Sequence, residues 1–314
     1  MIKNYTKADK KEIQKLISYV DTESNAIHIA ESPNCKIALV AYDKDKMIGF
    51  LVAWKSSFHP YCTYFDIVHH PNHMNCIGGL IEVLEENLNE KDYPLQTGVY
   101  EHSILDNYYQ DNNFEKIRKT YLPTIHLPYI QNMTRETTSL QMKTLGELLP
   151  TQTEQLINLA KRIYEETHLV NPVAEFDIDT WKQLIFAEDL IVEGSYVVVD
   201  VKKEVVAYSL LHESEHNDIV EFGWRGTRRK SDSNTINLLI SSQIEYVHRK
   251  GYKKLEGEFD TTDPYAMGVL DYFEFPRSPV LNTYHKKQGS YQNGFKNYAP
   301  NHSKTNSRKN KCSG

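Results

Sequence analysis

Hydrophobic and polar positions along the chain spell out one series of elements twice. Lys36–Tyr42 reads as a strand, Asp43–Lys46 as a polar turn, and Met47–Trp54 as the returning strand. In the second copy Ser195–Asp200 and Glu204–Leu211 flank the turn Val201–Lys203. Each hairpin leads to a third strand (Thr63–Val68; Asp218–Trp224), a polar loop and a helix with its apolar residues on one face. That face is Leu80, Ile81, Val83, Leu84 and Leu88 in the first copy and Ile236, Leu239, Ile240, Ile244 and Val247 in the second,. A further strand follows, Leu95–Tyr100 in the first copy, and then a short aromatic helix closing on Phe114 or Phe275. Met47 to Phe114 spans 67 positions and Glu204 to Phe275 spans 71. A period this long predicts two domains of one fold, not a solenoid.

Ahead of the first hairpin, Met1–Tyr5 reads as a short strand and Ile13, Leu16, Ile17 and Val20 as one helical face,. Thr120 to Glu136 joins the copies. Its prolines, Pro123 and Pro128, alternate with apolar residues such as Leu122, Ile125 and Leu127, which predicts a packed, strand-bearing connection; a flexible one is richer in Gly and Ser,. The second copy opens with the strand Leu140–Leu145, a helix from Thr153 carrying Leu156, Leu159, Ala160, Ile163 and Tyr164, and a second helix at Asp179–Trp181. The expected fold class is α/β with mixed sheets: a domain over 1–125, a packed linker over 126–137, a second domain over 138–285 and a basic, disordered tail over 286–314.

Composition changes this picture in three ways. With 314 residues, 25% charged and 40% hydrophobic, the chain suits two ordinary globular domains,. No uncharged apolar run approaches the roughly 18 residues of a membrane span, and Met1–Tyr5 lacks a signal peptide's basic-then-apolar layout,. The cysteines, Cys35, Cys62, Cys76 and Cys312, form no close pair and no metal-ligand spacing,. A reduced, cytoplasmic protein without a metal is expected. Net charge is −6, but seven Lys or Arg and no acid follow His285, which leaves −13 for the body. An acidic body argues against nucleic acid as a partner and favours a cationic one.

The order of elements resembles the GNAT superfamily of acyl-CoA-dependent N-acyltransferases, and the resemblance covers both copies. In that family the loop after the fourth strand has the form Val-x-Pro-x-x-Arg-Gly-x-Gly-x-Ala and opens a helix. Small residues there let backbone N–H groups reach the pyrophosphate of coenzyme A, and the helix dipole favours its charge. The first copy carries Val68, His69, His70, Pro71, Asn72, His73, Met74, Asn75, Cys76, Ile77, Gly78 and Gly79 at this place. Met74 takes the Arg slot, while Gly78 and Gly79 keep permissive backbone at the helix start. The glycine pair equally suits close packing of the helix on its sheet. The resemblance assigns Val68, His70 and Met74 to Gly79 to the donor acetyl-CoA. The second copy departs further: Asp232 stands in the Arg slot and Ser233 and Thr235 replace the loop glycines. Its cations, Arg225, Arg228, Arg229 and Lys230, suit either phosphates or a solvated face.

The family's closing helix has the form Asn-x-x-Ala-x-x-x-Tyr-x-x-x-Gly-Phe, and its Tyr hydroxyl protonates the departing thiolate. Anchored on Phe114, this pattern places Tyr109 in the acid position, with its hydroxyl expected at the mouth of the site. Anchored on Phe275 it places Leu270 there, which cannot donate a proton. A carboxylate or His must also take the amine's proton. Asp66, His69 and Glu101 are the first copy's candidates; Glu221, Glu256 and Glu258 occupy equivalent strands of the second.

The resemblance therefore implies transfer of acetyl from acetyl-CoA to a primary amine, small molecule or peptide, with the first domain as the catalytic copy. The second is expected to shape the acceptor site or a homodimer contact. Degenerate loops in both copies suit a non-catalytic scaffold as well, and a different acyl group, such as an aminoacyl moiety, is a third reading.

Overall fold

The computed structural model describes residues 1–20, 24–129, 140–277 and 279–289. The first half of the chain runs β1 (Ile2–Asn4), α1 (Lys10–Ser18), α2 (Ala26–Glu31), β2 (Cys35–Asp43), β3 (Lys46–Trp54), β4 (Thr63–His69), α3 (Cys76–Glu86), β5 (Leu95–Tyr100), α4 (Ile104–Asp111), β6 (Glu115–Tyr121) and β7 (Thr124–His126). The second runs β8 (Gln141–Thr144), α5 (Pro150–Thr167), α6 (Ile178–Ile185), β9 (Tyr196–Val199), β10 (Val205–Glu213), β11 (Ile219–Thr227), α7 (Asn234–Lys250), β12 (Lys254–Gly257), β13 (Phe259–Asp260), α8 (Pro264–Tyr272) and β14 (Val280–Lys286).

Central strands such as β3 are apolar on both faces because helices cover both faces of each sheet. On one side of the first sheet Phe65, Ile67, Ile77, Leu80 and Leu84 form a core beneath α3 and α4. On the other, Ile13, Leu16, Phe50, Val52 and Val68 pack beneath α1 and α2. Trp181, Leu156, Ile163, Leu210, Ile240 and Val269 belong to the larger core of the second half.

The strand orders are β1-β2-β3-β4-β5-β14-β6-β13 and, in the second sheet, β8-β9-β10-β11-β12-β7. Each sheet thus borrows from the other half of the sequence. β14, near the chain's far end, lies antiparallel between β5 and β6. β7 closes the second sheet on β12, and β13, one residue beyond β12, pairs with β6 instead. A buried carboxylate fixes the exchanged strand: Asp106 of α4 accepts hydrogen bonds of 2.7 Å from both Asn282 Nδ2 and Tyr284 Oη of β14. Lys286, the first residue of the expected tail, is the last of β14 and reaches Glu85 at 2.8 Å. Residues 290–314, and with them most of that tail, lie outside the described residues, as does 130–137 of the expected linker.

Both sheets open at their centre. β4 and β5 are parallel partners only at Thr63–Leu95 and Tyr64–Gln96. The parallel pair β11 and β12 runs from Ile219–Lys254 to Phe222–Gly257. Beyond these positions the strands of each pair part and no backbone ladder joins them.

Candidate functional site

In the first half the opening begins just past Tyr64 and Gln96. Asp66 stands two residues along β4, and burial raises its carboxyl above the ordinary carboxylate range,. Tyr109 comes to the same opening from α4, its ring against Phe65, Phe114 and Tyr284 at centroid distances of 5.9, 4.6 and 5.6 Å. It is fully buried, and among the described residues its hydroxyl has no partner within hydrogen-bond geometry. Burial first, and then the Asp66 charge, holds this phenol well above its usual titration range, with Thr97 of β5 close enough to act on it. The hydroxyl therefore lies inside the core and not at a site mouth. Because α4 packs over the opening instead of standing at its rim, Asp66, Thr97 and Tyr109 converge between the parted strands. An unpaired buried hydroxyl costs about 1–3 kcal/mol, so a ligand atom in this opening gains from meeting it.

The other two candidate bases point elsewhere. His69 is buried with Nδ1 3.2 Å from the carbonyl oxygen of His70. Glu101 accepts a 2.6 Å hydrogen bond from Lys119, which lowers its carboxyl. Among the described residues neither shares a hydrogen bond or an ion pair with Asp66 or Tyr109.

The loop from β4 to α3 is built from imidazoles. His70 Nδ1 accepts from the Asn72 N–H at 3.2 Å, and its Nε2 lies 3.1 Å from Lys46 Nζ. Its ring packs between Tyr19 and His73 at 5.0 and 5.1 Å. No side chain caps the N-terminus of α3, and its first turn holds no acid. Met74 and Asn75 are exposed there, while Val68, Cys76 and Ile77 point into the cores and offer only backbone. Burial pushes the Cys76 thiol up to about 11, so it stays protonated. Gly78 and Gly79 have no left-handed φ; a Cβ would meet Tyr108 Oη at 3.3 Å and Ile2 Cδ1 at 3.0 Å. The glycine pair thus packs the helix, and Gly49 of β3 does so more tightly, since a Cβ there would lie 2.8 Å from Cys76 Sγ.

The corresponding loop of the second half is occupied by its own side chains. Arg228 is held by Glu204 at 2.5 Å and Asp200 at 3.0 Å, and Ser231 Oγ donates to Asp232 at 3.0 Å. Leu270 is buried in the core.

A cleft of about 780 Å³ lies between the halves, where sequence patterning offered little sign of it. It occupies the opening of the second sheet, with Tyr64, Gln96 and Arg118 of the first half in its wall. Six carboxylates line it (Asp189, Glu221, Glu256, Glu258, Asp260 and Asp263) against two guanidinium groups, Arg118 and Arg225. Glu258 keeps solvent exposure at the cleft, yet partial loss of hydration there, then the neighbouring Asp260 charge, raises its carboxyl. The run Glu256-Gly-Glu-Phe-Asp260 was the available signal, but only the parting of β12 and β13 into different sheets turns its acids towards one space. His59 also lines the cleft, with Nε2 3.0 Å from Tyr164 Oη. Asn171 Nδ2 donates to Tyr64 Oη at 2.7 Å, a second link between the halves. Among the described residues no group of His, Cys, Asp and Glu is arranged to hold a metal ion, and no helix is long and apolar enough to cross a membrane.

No protein-family model matches the sequence, and no curated protein does. Solved structures do match in fold. A GCN5-related N-acetyltransferase from Sphaerobacter thermophilus superposes with a TM-score of 0.64 at 15% identity, over 91% of this chain and 95% of that one. A tandem GNAT protein from the clavulanic acid biosynthesis pathway gives 0.56 at 11% identity, over 91% and 98%. A GNAT-family acetyltransferase from Colwellia psychrerythraea gives 0.51 at 12% identity, over 91% and 100%. At these identities the likeness is one of fold.

Proposed function

We propose, from the GNAT fold that the chain carries in two interlocked copies, that this protein transfers an acyl group from a coenzyme A thioester to an amine. Acetyl-CoA is the donor and a primary amine the acceptor. The first half holds the donor: the uncapped N-terminus of α3, with Lys46, His70 and His73 about it and no acid in its first turn, suits a pyrophosphate,. The second half's loop suits one less, because Asp232 is there and Arg228 is spent on Asp200 and Glu204.

Coenzyme A supplies an activated acyl carbon with a thiolate leaving group. The thioester enters the parted strands to meet the buried Tyr109, which gives the thiolate its proton; of the two protons the ammonium loses, Asp66, whose raised carboxyl is the better base for it, takes one and the other restores Tyr109,. The bond formed is C–N and the bond broken is C–S. The amine arrives through the acidic cleft, where carboxylates attract its charged form,.

The observation that carries this reading is the position of Tyr64 and Gln96. They are the last paired residues of β4 and β5, and they also form part of the cleft wall. The base of the donor opening and the acceptor cleft thus share one boundary. Calorimetric titration with acetyl-CoA, followed by a thiol-release assay over a panel of amines, tests it. Saturable donor binding, weakened at least tenfold in Lys46→Glu, is expected. Absence of binding at millimolar acetyl-CoA would sink the reading and favour a scaffold.

A further inference from the structure

Arg225 is the most unusual residue in the cleft wall. It projects from β11 past the point where the second sheet parts, and it is only 5% exposed. Nη2 donates to the Glu258 carbonyl oxygen at 2.8 Å, and the guanidinium lies 4.6 Å over the Phe259 ring. Nε and Nη1 have no partner among the described residues. Arg118, reaching the cleft from β6, repeats the pattern: one nitrogen is 3.2 Å from Asp260 Oδ2, and Nε is buried with no partner among the described residues. Neighbouring acids are already committed. Asp263 Oδ1 accepts from the N–H groups of Tyr265 and Ala266 at the start of α8, and Asp260 Oδ1 accepts from Thr120 Oγ1. Two guanidinium groups, one from each half, thus present unsatisfied donors at a single cleft, and leaving a buried cation so is costly unless an oxygen meets it.

The opposite chemistry lies at the base of the same opening. Glu221 and Glu256 are parallel register partners on β11 and β12. A bulge in β11 between Phe222 and Arg225 turns Arg225 to the face of Phe222 and Phe259 and leaves Glu221 on the other,; where the strands part both reach the cleft, roughly 10–13 Å apart along β11,. An elongated ligand passing through this opening meets carboxylates at one end and guanidinium donors at the other. A phosphate, with its higher charge, suits a wall of six carboxylates poorly,; a single carboxylate meets the two arginines without that excess.

We infer that the cleft takes a zwitterionic acceptor, an amine whose chain also bears a carboxylate, with Arg225 and Arg118 receiving the carboxylate and Glu221 and Glu256 the ammonium. This rests on the reading of the cleft as the acceptor site. Pairs that differ only in the carboxylate test it: L-lysine against 1,5-diaminopentane, and L-ornithine against 1,4-diaminobutane, titrated into the full chain by calorimetry. The amino acid of at least one pair binds at least tenfold more tightly than its diamine, and Arg225→Gln abolishes that preference while the diamine still binds. Equal or weaker binding of the amino acid in both pairs, or no binding by either amino acid, overturns the inference. Should Arg225→Gln fail to fold, as judged by circular dichroism, the wild-type comparison decides alone. A separate acetyl-CoA titration keeps the two readings apart. Donor binding without carboxylate preference sinks only this inference, and carboxylate preference without donor binding sinks only acyl transfer.

Discussion

Tyr109 has an unpaired hydroxyl in the first core, and deleting that oxygen separates catalysis from packing. Tyr109→Phe should leave stability unchanged or slightly raised, since an unsatisfied polar atom is lost and the ring stays. If the phenol is the proton donor, kcat should fall by about 10- to 10⁴-fold with acetyl-CoA affinity retained. Turnover measured beside a donor titration checks both, and unchanged turnover would reduce Tyr109 to a packing residue. Asp9 offers a second test at this scale. Burial opposes its ionisation, but hydrogen bonds from Thr6, Tyr42 and Lys3 prevail and hold the carboxyl at about 2. Its folded value is depressed, so its contribution, about 2 kcal/mol, is complete above the unfolded value near 4 and is lost as pH falls towards 2. Asp9→Asn should flatten the acid limb of a stability-against-pH curve by that amount.

At the scale of elements, β14 depends on polar anchors. Asp106→Ala leaves Asn282 Nδ2 and Tyr284 Oη without their acceptor and should cost about 3 kcal/mol in urea unfolding,. His285 of the same strand donates from Nε2 to Gln96 Oε1 at 2.7 Å, and burial depresses its imidazole to about 4. An unfolded His titrates near 6.5 and so takes its proton first. The contribution is whole above that pH and declines, by up to about 3 kcal/mol, as pH falls towards 4. His285→Gln should remove this slope, read from urea midpoints at pH 7 and pH 5.

Much of this level was legible in the sequence. Apolar runs located β2, β3, β9 and β10, and helical spacing located α3, α5 and α7. The Tyr109 match found a residue at the opening but not its depth, because a spacing pattern carries no information about what packs over it. His69 and Glu101 were plausible for their strand positions, yet His70 and Lys119 decide their contacts. The cleft was hidden because its walls come from residues about 200 positions apart, such as His59 and Asp263.

For the whole molecule, the halves of the sequence are not independent bodies. Residues 1–129 expressed alone lack β14, so β5 and β6 face a gap in the middle of their sheet. That fragment should be insoluble, and so should 130–314 without β7; co-expression should recover a soluble complex. Analytical size exclusion of the two fragments, singly and together, checks this. Independent solubility of 1–129 with native-like circular dichroism would show that β14 is dispensable.

The borrowed strand also carries a cost during synthesis. Domains generally fold in order as they leave the ribosome, at about 5–20 residues per second. Here β6 ends at Tyr121 and β14 begins only at Val280, so translation must continue for roughly 8–30 s before the first sheet can receive its missing strand. Through that interval β5 and β6 present unpaired backbone, the hazard that leads exposed strands to aggregate. The nascent chain should therefore gain from chaperones that shield strand edges, and its yield should depend more on translation speed and on intact 3′ coding sequence than that of a protein whose domains close one after another.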